Sequence, residues 1–254
     1  MIKYEGSEDD ILKYAAKSEL GLIRKSNQDR VLVVETDQAF LAMVCDGIGG
    51  GNAGDVASQM TIDFFEKEFK EASSFEKDSD IIHWYEKTLR AVNERVFSKG
   101  RRNLELQGMG TTAITLIIKD GRAFGFNVGD SRLYDYRHNS LDLLSHDQTY
   151  AYMMYLENEI TKEEAENHPK RNVLMNAIGV KNHIEYETIR VPDDWNRLML
   201  SSDGLHDYVA LSHIEETFNY DIEKTTELLM ELAYKAGGFD NISLVVIEGD
   251  KNDA

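Results

Sequence analysis

Phe40-Leu41-Ala42-Met43-Val44-Cys45-Asp46-Gly47-Ile48-Gly49-Gly50 carries six apolar residues into an acid and a glycine-rich turn, and the residues beyond that turn separate two fold classes. An unbroken apolar run of this length reads as a strand buried on both faces. Its continuation, Gly49-Gly50-Gly51-Asn52-Ala53-Gly54, matches G-x-G-x-x-G between a strand and a helix, the pattern of a dinucleotide-binding turn. A doubly wound sheet would then require a parallel strand after that helix. A second helix comes instead. Ala57, Thr61, Phe65 and Phe69 fall four apart within 52–72, and Ile82, Tyr85, Leu89, Val92 and Val96 alternate spacings of three and four within 80–98. No Gly-Lys-Ser/Thr is present, which removes a P-loop. The glycines therefore read as a turn that lets a backbone carbonyl, that of Gly47, approach an ion.

Strand patterns flank the helix pair on both sides. Segments 12–19 and 30–35 precede it, and 112–118, 123–128, 132–136 and 141–144 come after it as a meander. Asp120-Gly121 joins the first two of these, a two-residue hairpin signal because both central positions want positive φ. A polar, helical stretch at 146–180 comes next, then strands at 184–191 and 197–200, helices at 211–219 and 222–236, and a last strand at 242–247. Hairpin-connected strands separated by helix pairs predict an α+β fold: a four-layer α-β-β-α sandwich of two antiparallel sheets flanked by helix pairs. With only 2 prolines and no linker or repeat in 254 residues, one domain is expected.

Composition narrows the function classes. The 46 acidic against 28 basic residues leave a formal charge of -18, which repels a polyanionic duplex and argues against nucleic-acid binding. A single cysteine cannot form an internal disulfide, the N-terminus has no signal-peptide pattern and no apolar run reaches membrane-spanning length. A soluble cytoplasmic monomer is expected. Cys45 is no phosphatase nucleophile, because the arginine such a site places six residues on is here Gly51. The 7 histidines show no zinc spacing, and no G-x-S-x-G elbow accompanies them.

What remains is a set of acids beside apolar runs: Asp29 in Ser26-Asn27-Gln28-Asp29, Asp46, Asp203 in Ser202-Asp203-Gly204, and Asp240 in Phe239-Asp240-Asn241. A carboxylate at the end of a buried strand is unfavourable unless something positive meets it. Several such ends converging would line a pocket with oxygens, the donor set of Mg²⁺ or Mn²⁺.

In these blocks the chain resembles the bacterial PPM, or type 2C, metal-dependent protein serine/threonine phosphatases. The resemblance rests on Gly21-Leu22-Ile23-Arg24-Lys25-Ser26-Asn27-Gln28-Asp29, Val44-Cys45-Asp46-Gly47-Ile48-Gly49-Gly50 with Ala53-Gly54-Asp55-Val56-Ala57-Ser58, Gly108-Met109-Gly110-Thr111-Thr112, Asn127-Val128-Gly129-Asp130-Ser131-Arg132, Leu200-Ser201-Ser202-Asp203-Gly204-Leu205 and Gly238-Phe239-Asp240-Asn241-Ile242-Ser243. These six blocks fall in the family order and span almost the whole chain.

The resemblance implies a catalytic domain over 1–254 with a flap subdomain at about 146–180. It further implies two Mn²⁺ or Mg²⁺ ions: Asp46 bridges them, Asp203 and Asp240 complete one site, and Asp29 with the Gly47 carbonyl serves the other. Arg24 would grip the phosphoryl group with its planar fork. Asp130 reads either as a ligand, with Asp203, of a third ion or as a plain turn residue. The implied reaction is hydrolysis of phosphoserine and phosphothreonine by in-line attack of metal-activated water, with Ser/Thr kinases and their targets as partners. Two departures stand out. Ile48 occupies the place of a histidine proposed in many relatives as the proton donor, and Gln28 replaces a glutamate ligand of the eukaryotic motif. Two rival readings are a pseudophosphatase acting as a binding module and a phosphoesterase for small metabolites.

Overall fold

The computed structural model describes residues 12–51 and 53–249. Asn52, the expected first residue of the first helix, and the two ends of the expected 1–254 domain lie outside these residues. Three strands come first among the described residues, β1 (Lys13–Glu19), β2 (Arg30–Glu35) and β3 (Phe40–Cys45), with a short β4 at Gly47–Ile48. Helices α1 (Ala53–Lys70) and α2 (Asp78–Arg102) come after them. Next are β5 (Gly110–Thr111), β6 (Ala113–Lys119), β7 (Arg122–Val128), β8 (Arg132–Arg137) and β9 (Ser140–Leu143). Beyond them lie α3 (Tyr150–Leu156), α4 (Lys162–Glu166), β10 (Glu187–Arg190), β11 (Arg197–Ser201), α5 (Asp203–His206), α6 (Leu211–Thr217), α7 (Ile222–Lys235) and β12 (Ile242–Glu248).

The strands form two five-stranded antiparallel sheets, ordered β1-β12-β11-β8-β9 and β10-β7-β6-β3-β2, with β4 and β5 as a separate ribbon. Period-two alternation explains why the central strands are apolar throughout. On β3, Phe40, Ala42 and Val44 face the opposite sheet, whereas Leu41, Met43 and Cys45 face α1 and α2. On β12, Val245 and Ile247 enter the layer between the sheets while Leu244 and Val246 pack toward α6 and α7. The result is the expected stack of helices, sheet, sheet, helices.

Local chemistry sets the joints. Asp120 and Gly121 take φ of 51° and 73° and close Lys119 on Arg122. A second hairpin turns at His138 and Asn139, φ 50° and 61°, without any glycine. In α1 the expected stripe of Ala57, Thr61, Phe65 and Phe69 is buried. In α2 the stripe begins at Ile81, with Ile82 only partly buried, one position off the sequence expectation. The 184–191 strand shortens to β10, and the 146–180 stretch holds only two short helices. Among the described residues no helix is long and apolar enough to cross a membrane.

Leu116, fully buried between the sheets, and Leu104, 88% exposed, set a contrast. Leu116→Ala is expected to lower unfolding free energy by about 2–5 kcal/mol. Leu104→Ala should change it by less than about 0.5 kcal/mol. Denaturant midpoints check both, and equal effects would contradict the layer assignment.

Candidate active site

Asp46 immediately follows β3, and its backbone is fixed from the neighbouring strands. Its N–H donates to Thr112 Oγ1 at 2.9 Å, and its carbonyl accepts from Thr112 N at 2.8 Å and Thr111 Oγ1 at 2.9 Å. Thr112 Oγ1 also meets Ser131 Oγ at 2.7 Å, which ties the Asp130 turn to the same point. The Gly-Met-Gly-Thr-Thr and Gly-Asp-Ser blocks thus hold the Asp46 backbone in place.

Asp203 opens α5 directly after β11, and Asp240 precedes β12, the strand paired with β11. These neighbouring strand ends bring the two acids to one edge of the sandwich. Asn241 then shapes the loop between β1 and β2: its Oδ1 accepts from Gln28 N at 2.8 Å, while its Nδ2 donates to the carbonyls of Leu20 at 2.9 Å and Ser26 at 3.1 Å. The same loop supplies Arg24, whose guanidinium reaches Asp240 Oδ2 at 2.6 Å. Gly47 is required by packing: a Cβ on it would lie 2.3 Å from the Gly54 carbonyl oxygen, so the start of α1 is pressed against this turn backbone to backbone. Within this run Gly50 and Gly51 border open space.

Arg24, Asp46, Gly47, Asp130, Asp203 and Asp240 line one cavity of about 240 Å³ with Gln28 and Ile48. Asn172 and Leu174 close it from the 146–180 segment. Asp29 does not line it. It sits behind, 1% exposed, accepting from Ser202 Oγ at 2.7 Å and within hydrogen-bonding reach of Asp46. Asp46 in turn reaches Asp203, so it stands between two other acids.

Crowding dominates the electrostatics. Burial, then the charges of Asp29, Asp203 and Asp130, drives the Asp46 pKa well above the carboxylate range. Burial, then Asp130 and Asp240, does the same to Asp203. Asp29 is pushed up to about 6, chiefly by burial, and Asp130 to about 7 by burial and then by Asp147 and Asp207. Asp203 Oδ1 is buried without a hydrogen-bond partner. An all-oxygen cluster with an orphaned carboxylate oxygen fits hard divalent cations such as Mg²⁺ and Mn²⁺. Among the described residues no three acidic, histidine or cysteine side chains stand as a ready ligand cage; Arg24 meets one Asp240 oxygen and Ser202 one Asp29 oxygen.

Sequence reading missed several contributors. The Thr111 and Thr112 hydroxyls and the Asn241 amide were visible inside the motifs but had no assigned work. Asn172 and Leu174 carry no sequence signal, since a chain fold alone brings them there. His206, bonded to Ser201 Oγ at 2.9 Å, has its pKa lowered well below the ordinary value, first by burial and then by Arg132. It lines a separate cavity of about 460 Å³ beside the 146–180 segment. The larger cavity is thus not the acidic one.

The raised carboxylate pKa values fix the sign of a linkage. Protons held by Asp29 and Asp130 in the folded state contribute stability that is complete below their unfolded pKa of about 4 and fades as pH rises through about 6 and 7. Cations must displace those protons. Added Mn²⁺ is therefore expected to raise Tm more at about pH 8 than at about pH 5. Calorimetric melts check this, and an equal or larger shift in acid would contradict it.

Comparison with known proteins agrees with this geometry. A family model described as protein phosphatase 2C matches residues 24–234. The serine/threonine phosphatase stp of Listeria monocytogenes is 33% identical over 238 residues, covering 92% of this chain and 94% of that protein. The serine/threonine protein phosphatase PstP of Mycobacterium tuberculosis is 33% identical over 239 residues, 94% of this chain and 45% of the longer relative. The crystal structure of serine/threonine phosphatase Stp1 from Staphylococcus aureus superposes with a TM-score of 0.88 at 26% identity, covering 98% of each chain. Motif order, sandwich and sequence similarity together place this chain in the protein phosphatase 2C family.

Proposed function

We propose that this chain hydrolyses phosphoserine and phosphothreonine in proteins, that 1–254 form one catalytic domain with about 146–180 as its flap, and that the acid cluster around Asp46 is its reaction centre. The observation that carries the proposal is the position of Asp46 between Asp29 and Asp203 in a cavity that also presents Arg24. Members of this family are metal-dependent. Two Mn²⁺ or Mg²⁺ ions would share Asp46, one held by Asp203 and Asp240 and the other by the Gly47 carbonyl, with Asp29 backing it. A third would fall to Asp130 and Asp203. When bound, such ions supply positive charge to the phosphoryl oxygens and acidify water toward neutral pH.

The protein's own groups do the positioning. Arg24 offers a planar fork to two phosphoryl oxygens once it leaves Asp240. Thr111 and Thr112 stop Asp46 from backing away from its neighbours, and Ser202 orients Asp29. Asn172 and Leu174 wall the cavity on one side. Among the described residues no histidine lines this cavity and Ile48 contributes an apolar wall, and water is the proposed source of the proton for the leaving serine oxygen. A module that binds phosphoproteins without turnover is not favoured, because every acid of the cluster is retained. Phosphorylated Ser/Thr kinases and their targets are the proposed substrates.

Activity on a phosphothreonine peptide is expected to need Mn²⁺ or Mg²⁺ and to vanish with chelator. Asp46→Asn should lower kcat/KM by about 10³-fold or more while the protein stays folded by circular dichroism. Full metal-dependent turnover in Asp46→Asn would contradict the assignment.

A further inference from the structure

The rim of the acidic cavity on the side of Arg24 is apolar and exposed. Leu22 is 64% exposed, Phe239 49% and Tyr208 40%. They come from different parts of the chain but lie together. Leu22 N donates to the Gly238 carbonyl at 2.7 Å, and the Tyr208 and Phe239 rings are 5.4 Å apart between centroids. Each is anchored beside a cavity residue: Leu22 two positions before Arg24, Phe239 directly before Asp240, and Tyr208 close enough to sense the charges of Asp203 and Asp240.

The platform is also fixed in shape. Gly21 and Gly238 hold φ of 78° and 52°, and a Cβ on Gly21 would drive into the Asp240 carbonyl. Asn241 clamps the same loop through Leu20 and Ser26. Large apolar side chains held half out of water on a rigid loop leave favourable burial unused until something covers them.

We propose that Leu22, Tyr208 and Phe239 form a docking platform for an apolar side chain flanking the phosphorylated serine or threonine of a protein substrate, so that this chain prefers phosphosites with apolar neighbours. The inference rests on the phosphatase reading above. Continuity with the cavity selects this occupant: a peptide whose phosphoryl group meets Arg24 and Asp240 must leave the cavity over a rim, and on this side Leu22 and Phe239 flank those two residues. Charge removes one alternative, because a chain of net charge -18 with four acids at its reaction centre repels acidic flanks.

Two phosphothreonine peptides test it, identical except that the positions flanking phosphothreonine are leucine in one and serine in the other, each assayed with Mn²⁺ alongside p-nitrophenyl phosphate. The wild-type protein is expected to favour the leucine peptide by about tenfold in kcat/KM, or ~1.4 kcal/mol. Leu22→Ser and Phe239→Ser should each shrink that ratio toward unity with p-nitrophenyl phosphate turnover unchanged, which also shows the variants folded. A wild-type ratio near unity overturns the platform on its own, with no variant needed, while turnover of both peptides leaves the phosphatase reading standing. Turnover of neither peptide overturns that reading and the platform with it. If sedimentation shows a wild-type dimer that Leu22→Ser dissociates while the peptide ratio persists, the patch is a self-interface and the proposal fails.

Discussion

Like charges held together against their repulsion are the constraint on which the rest of the molecule depends. Asp46 stands between Asp29 and Asp203, with Asp130 and Asp240 near, and burial adds to the penalty of ionising each. Such a cluster cannot form by attraction among its members. It forms because two sheets, each with its own apolar layers, bring strand ends to a common edge and fix the acids there. The inter-sheet layer of Phe40, Val44, Leu116, Leu200 and Val245 therefore acts as the scaffold of the site as well as the core of the fold.

Neutral hydrogen bonds then turn proximity into geometry. The Thr112 hydroxyl links the Asp46 backbone to Ser131, the Ser202 hydroxyl links Asp29 to the start of α5, and the Asn241 amide gathers the Arg24 loop. Each uses a small polar side chain, buried and satisfied, where a charged one would have altered the balance of the cluster. The 146–180 segment is tied in by the same means. Asn93, itself buried on α2, accepts from Gly179 N at 2.8 Å and donates to the Lys181 carbonyl at 3.0 Å. Asn172 donates to Asp207 Oδ2 at 3.0 Å, so the 146–180 segment touches the residue that caps α5.

Much of the fold was legible because the signals are local. The two-faced burial of β3 shows as an unbroken apolar run, and the Asp120-Gly121 turn announces itself by residue type. The turn at His138 and Asn139 does not, since neither residue demands positive φ and the register of β8 with β9 imposes it. The two-residue ribbon of β4 and β5 is too short to leave a period. In the site, the aspartates were legible from their blocks, but the placement of Asp29 behind Asp46 depends on Ser202, 173 positions away in sequence. The pairing of Gly47 with Gly54, and the arrival of Asn172 and Leu174, are likewise properties of packing that no short motif encodes.

The central claim is that the repulsion stored around Asp46 is balanced by divalent cations. Anomalous scattering from a crystal of this protein grown with Mn²⁺ tests it most directly. Manganese peaks beside Asp46, in contact with Asp203 and Asp240, are the expected result. A well-ordered crystal with no manganese in this cavity, or with manganese bound only elsewhere, would contradict the account.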